Sequence, residues 1–316
     1  MKKFKDFSTV EKQIEILKQK GLKFKDEQSA MYKLVKTNYY TLINGYREPF
    51  ICSKKVGEPT KYLEDTYFEE IYNFYIFELN LKTLFLKYIF FIEQNIKSAI
   101  SYEFSKRYGS KDYLKVDNFD NSTFSGTKET LYLFSNLYNV VSKSISKEDY
   151  INYYVENYGY IPLWVLSNSV SLGNIVNFYK LMKRSEKEYI ADKYFSCVCT
   201  DLEDYFEFLN SFRNICAHDE RLYNFSAKGK VIPENDITNY FKLKNTQTCR
   251  NNCFALFITL IMLLDKETSF KFYYEFKNLI ESELNDKISP DRVEIIMKIM
   301  GFPINWEDIK KFIKQN

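Results

Sequence analysis

Histidine occurs once in the 316 residues, arginine seven times, proline six and glycine nine. A lone histidine excludes HExxH zinc sites and histidine-rich metal clusters, which need at least two imidazoles. GxGxxG, a phosphate loop ending in GK[ST] and GxSxG are also missing. Dinucleotide, P-loop nucleotide and serine-hydrolase chemistries therefore lack the backbone that cradles their phosphates or presents their nucleophile. Long apolar runs are absent too: Phe254 to Leu264 is the longest uncharged one, about half of the ~20 residues a membrane span requires. "MKKFKDFSTV" has a basic start but no apolar stretch behind it, so no secretory leader is read. These features predict a soluble, cytoplasmic protein with no membrane partner, whose six cysteines are reduced and mostly buried thiols. Cys197, Cys199, Cys216 and His218 offer four potential zinc ligands. Only one residue separates the members of each pair, tighter than the usual turn-borne spacing of two to four. No metal and no cofactor are expected.

Hydrophobic residues make up 45% of the chain, enough to bury a sizeable core. Aromatics reach 18%, alongside the Lys, Asn and Ile excess that an AT-rich genome writes by codon bias. Net charge is +3, but residues 1–36 hold ten lysines against five acids. That local +5 leaves −2 for the rest and marks either a solvated helical face or a phosphate-binding surface.

Apolar residues recur at three- and four-residue spacings almost throughout, while alternating runs are scarce. The fold class expected is all-α. Helices are predicted at Val10 to Lys20, closed by Gly21, and at Glu27 to Lys36. Leu63 to Tyr108, ended by Gly109, reads as one very long helix or two end to end. Further helices are expected near 127–156, 163–184, 201–219, 249–265, 268–284 and 290–300. The last is punctuated by Ser289 as N-cap, Pro290 and Gly301. Loops fall at 48–61, 109–126 and 226–247. Cys249 and Cys253 share a face of the 249–265 helix and read as core. Residues 1–62 form a basic N-terminal helical region and 63–316 the main bundle.

The scarce residue types gather in "FRNICAHDERLYN", 212 to 224. Leu202, Tyr205, Phe206, Leu209, Phe212 and Cys216 make one apolar stripe, and at about 100° per residue Arg213 falls inside it. His218 lies roughly 140° further round, so on a regular helix the two side chains diverge. A structural arginine bonded to buried carbonyls, beside an ordinary surface histidine, is one reading. The other is phosphodiester chemistry: guanidinium supplies a permanently charged fork for phosphate oxygens, and imidazole exchanges protons near neutrality. RNA carries its own nucleophile in the 2′-hydroxyl, so position, charge neutralisation and proton transfer suffice.

Arg213-Asn214-Ile215-Cys216-Ala217-His218 resembles the motif of HEPN ribonucleases, an arginine and a histidine four to six residues apart. The longer string "RNICAHDERLYN" resembles the bacterial abortive-infection (Abi-like) phage-defence proteins of the AbiD and AbiF type. "YYTLINGYREPF" (39–50), "FIEQNIKSAI" (91–100), "IPLWVLSNSVSLGNIVNFY" (161–179) and "MGFPINW" (300–306) agree with it in order. Two departures stand out: Thr41 where an arginine is expected, and Lys97 where relatives often carry arginine, which keeps charge but loses the bidentate fork. The resemblance implies a HEPN-like helical bundle carrying the motif and an active site formed where two copies meet in a homodimer. It also implies metal-independent cleavage of RNA to a 2′,3′-cyclic phosphate and a 5′-hydroxyl, by a toxin restrained by a structured small RNA. On this reading Arg213, Asn214 and His218 are catalytic and Arg221 and Asn224 support the motif. Tyr39, Tyr40, Tyr46 and Arg47 are RNA-binding candidates, and Tyr223 is either a stacking ring or a core tyrosine. The alternative is a non-catalytic HEPN-type RNA-binding or scaffold protein.

Overall fold

Thirteen α-helices and several short 3₁₀ and π turns build the described part of the chain in a computed structural model, which covers residues 7–52, 60–145, 147–218, 220–243 and 250–313. Residues 53–59 of the expected 48–61 loop lie outside it, as does the start of the basic N-terminal region. No strand occurs among the described residues. Helices α1 (Val10–Gln19) and α2 (Glu27–Thr37) come first, each opened by a side-chain cap, Thr9 on the Lys12 amide and Asp26 on the Ser29 amide. Gly21 follows α1 at φ +91. Backbone bonds from the Tyr62 amide to the Lys20 carbonyl and from the Phe68 amide to the Lys23 carbonyl tie this region to the start of α3.

Helix α3 (Phe68–Tyr108) runs unbroken for 41 residues, about 60 Å at 1.5 Å per residue. Of the two readings of 63–108, the single long helix holds. The 127–156 stretch is instead two helices, α4 (Phe124–Ser144) and α5 (Asp149–Tyr158), and α4 begins inside the expected loop. Thr123 starts it by accepting the Gly126 amide, a cap within a polar run that reads as a turn. Likewise 163–184 divides into α6 (Leu163–Leu166) and α7 (Leu172–Leu181), where Ser171 caps the Asn174 amide. Helix α8 (Arg184–Phe195) has no counterpart among the predicted helices; its amphipathic signal is weak, with only four buried residues.

Helix α9 (Cys199–Ala217) packs against both α3 and α7, while α11 (Cys253–Leu263) and α12 (Lys266–Leu279) pack on α3 and on each other. Between α9 and α11 a short α10 (Asp236–Tyr240) interrupts the expected 226–247 loop, held by an Asn235–Thr238 capping box. Helix α13 (Pro290–Ile299) follows its punctuation, but Ser289 turns away from the cap. Its hydroxyl and amide both bond the Glu70 carboxylate of α3, at 2.8 and 3.0 Å. Gly301 sits at φ +87 against the Asn252 side chain that caps α11, so any Cβ there would collide with it. No helix of the described residues is long and apolar enough to cross a membrane.

Candidate functional site

All six residues of the α9 stripe, Leu202 through Cys216, are buried. The helix stops at Ala217, and His218 is extended at φ −115, ψ 171 and exposed, its amide donating to the Asn214 carbonyl at 3.1 Å. Nothing in the local sequence ends the helix there, since no glycine or proline follows until Gly229. What bends the chain is tertiary. Lys82 of α3, only 7% exposed, places its ammonium on the Glu220 carbonyl and, at 3.5 Å, on that of His218. One turn earlier on α3 the fully buried Glu78 accepts the amides of Leu222 and Tyr223, the latter at 3.1 Å. Burial raises the Glu78 carboxyl above its ordinary value, against the pull of Tyr46, Lys82 and the two amides.

A second Glu–Lys pair, again four residues apart, lies further along α3. Glu93 and Lys97 are both buried and 2.8 Å from each other. The other Glu93 oxygen stands 3.9 Å from the Arg213 Nε, and neither of those two atoms has a hydrogen-bond partner. Arg213 thus meets a buried carboxylate where the structural reading expected buried carbonyls. Its side chain remains 30% exposed. Lys97 already pairs with Glu93, and Arg213 stands at ion-pair distance from the same carboxylate with no hydrogen bond from its Nε. Asn214 is exposed beside it.

The loop after His218 docks onto the 39–50 segment. Arg221 Nη1 donates to the Gly45 carbonyl at 3.2 Å, and the Tyr223 hydroxyl donates to the same oxygen at 2.9 Å. The Tyr223 hydroxyl also lies 3.1 Å from the Glu48 carboxylate, which Asn224 Nδ2 reaches at 3.3 Å. Arg221 and Asn224 therefore tie the loop that follows α9 to the 39–50 segment. Tyr223 is a core tyrosine, 1% exposed, and burial pushes its phenol up. Tyr46 is buried and enclosed by Phe74, Tyr75 and Tyr223, which leaves its ring no open face. Tyr39 and Arg47 are half-buried, and Tyr40 is 72% exposed.

Two grooves flank this region. One, about 780 Å³, lies between the 40–46 turn and the 220–228 loop. The other, about 550 Å³ and mostly apolar, runs beside Cys216 along Leu86, Phe90 and Phe91. Cys216, raised to about 12 by burial, stays a thiol. Cys197 is half-buried and Cys199 buried, and no group of three or more His, Cys, Asp or Glu among the described residues is placed to hold a metal ion. Cys253 is buried in α11, whereas Cys249 lies outside the described residues.

Glu78, Lys82 and Glu93 escape a reading of the sequence because Glu–Lys pairs four apart usually mark a solvated helix face. Their phase is the signal: they fall among Phe74, Phe77, Leu81, Phe85, Ile89, Ile92 and Ile96, all buried. Residues 32–224 match the model of a family described as Abi-like protein. No curated protein and no solved structure matches the chain.

Proposed function

The chain belongs to the Abi-like family, which implies a part in abortive-infection phage defence, and from that premise we propose that it is a HEPN-type, metal-independent endoribonuclease. The observation that carries the reading is an exposed imidazole at the end of α9 and, five residues before it, a part-exposed guanidinium whose Nε stands 3.9 Å from a buried carboxylate that Lys97 already pairs. In the proposed reaction the imidazole of His218 takes the proton of an RNA 2′-hydroxyl. O2′ then attacks the adjacent phosphorus while Arg213 faces the non-bridging oxygens. The P–O5′ bond breaks, O5′ leaves with a proton from an imidazolium, and the products are a 2′,3′-cyclic phosphate and a 5′-hydroxyl. Asn214 orients substrate or His218.

Two imidazoles make a base and an acid available together, and the reading therefore includes a homodimer. The apolar groove at Leu86, Phe90 and Phe91, with Phe90 43% and Phe91 50% exposed, supports it as a face for a second copy, placed on the same surface of both protomers by two-fold symmetry. RNA is the substrate, and a structured small RNA is the proposed restraint. The test uses an all-ribose oligonucleotide and its 2′-deoxy counterpart, with and without chelator. Cleavage of the ribose form alone, indifferent to chelator and lost in His218→Ala, is the expected result. Intact RNA that stays bound would favour the non-catalytic RNA-binding reading.

A further inference from the structure

The 780 Å³ groove is built from two segments far apart in sequence, and the bonds that join them also fix its walls. Arg221 and Tyr223 on the Gly45 carbonyl, with Asn224 on Glu48, leave the 40–46 turn and the 220–228 loop little freedom to separate. The site is therefore formed before any ligand arrives. Its chemistry is mixed in a particular way. Tyr40 offers an exposed ring, Arg221 and Lys228 offer cations, and Glu220 and Asn224 line the same space. Asn224 turns its Nδ2 to Glu48, and its carbonyl oxygen remains as an acceptor for a ligand. Aromatic ring, cation and paired acceptors together match an unpaired nucleotide, with the ring for stacking and the cations for its phosphate. Glu220, which lines the groove, follows His218 by two residues, and their carbonyls share the Lys82 ammonium, so one buried cation fixes the backbone of both.

Resting on the ribonuclease reading, we propose that this groove is a base-reading subsite for the nucleotide next to the scissile phosphate, and that it favours guanine. Guanine presents three edge N–H bonds to the Glu220 and Asn224 acceptors, whereas uracil presents one. Tyr40 stacks on the base, and Arg221 and Lys228 attract its phosphate.

The experiment uses the full chain carrying His218→Ala, so that RNA stays intact, titrated with a labelled oligouridine and with the same strand bearing one central guanine. The guanine strand binds more tightly. Adding Tyr40→Ala weakens its binding by about 5- to 150-fold, the range of a lost stack, while Tyr40→Phe retains it and Glu220→Gln erases the preference for guanine. Thermal melts accompany each variant. Folded Tyr40→Ala and Glu220→Gln proteins that bind both strands like their parent overturn the subsite; should Tyr40→Ala not fold, Glu220→Gln alone decides. Cleavage mapping with the active chain separates the two ideas. Cutting whose sequence preference ignores Tyr40 and Glu220 sinks the subsite and leaves the ribonuclease, whereas guanine binding without cutting sinks the ribonuclease and leaves the subsite.

Discussion

Helices α3 and α11 both run through the core, yet they bury opposite chemistry. Among the eleven residues of α11 all but Met262 are buried, and Thr259 is its most polar side chain, satisfied by the Ala255 carbonyl. Helix α3 buries Glu70, Glu78, Lys82, Glu93 and Lys97 among its aromatic and aliphatic side chains. Buried ion pairs are poor sources of stability, because desolvation opposes their attraction, and apolar replacements often do as well or better. On α3, then, geometry outranks stability. Four of its five buried charges serve the motif region, with Glu78 and Lys82 holding the loop after Ala217 and Glu93 and Lys97 setting Arg213. Glu70 does similar work at the Ser289 turn.

His218 separates function from stability most sharply. On the proposed ribonuclease reading, His218→Ala should lower RNA cleavage by ~10²–10⁴-fold, the usual worth of general acid–base assistance, and leave the melting temperature unchanged because the side chain is exposed. A large drop in melting temperature would remove its purely catalytic assignment. Phe257→Ala, on α11, does the reverse. Its ring packs against Phe272, Phe276, Phe302 and Trp306, so denaturant unfolding should record a loss of ~3–5 kcal/mol, with cleavage per folded molecule intact.

Between these extremes lie the α3 charges. Glu93→Ala strands Lys97 in the core and should destabilise by ~3–5 kcal/mol, whereas Glu93→Met with Lys97→Met is near neutral or stabilising. Only cleavage then exposes the double variant, since Arg213 loses its guide; unchanged activity in that protein ends the claim that the pair serves the motif. Arg213→Ala, by contrast, costs at most ~1 kcal/mol, as expected for a partly exposed partner at ion-pair distance, because Lys97 continues to neutralise Glu93.

The smallest effect is in the pH dependence of stability. Glu78 has a raised folded-state value, so the native state holds its proton more tightly than the unfolded chain does. Its favourable contribution is complete below the ordinary 4.5 and is lost as pH rises through the elevated folded value. Glu78→Gln keeps an acceptor for the Leu222 and Tyr223 amides and removes the titration. Melts from about pH 4 to neutrality, taken at roughly half-unit steps, should therefore fall less steeply with rising pH in the variant. Parallel curves would refute the assignment.

The all-α class, the α1, α2 and α13 boundaries to within about a residue and the string at 213–218 follow from residue order, which left 63–108 open as one long helix or two end to end. Helical periodicity and capping residues are local properties, read within a turn or two of each site. The breaks inside 127–156 and 163–184 carry local marks, mostly polar runs at 144–148 and 167–171 with Ser171 as a cap, but no glycine or proline stands there to punctuate them. At Ala217 the stop is tertiary, where Lys82 and Glu78 capture the following backbone. Sequence also presents Arg213 and His218 as neighbours without saying what aims them. That was decided by charges of α3, distant in the chain, whose partners exist only once α3 and α9 are packed and water is excluded from between them.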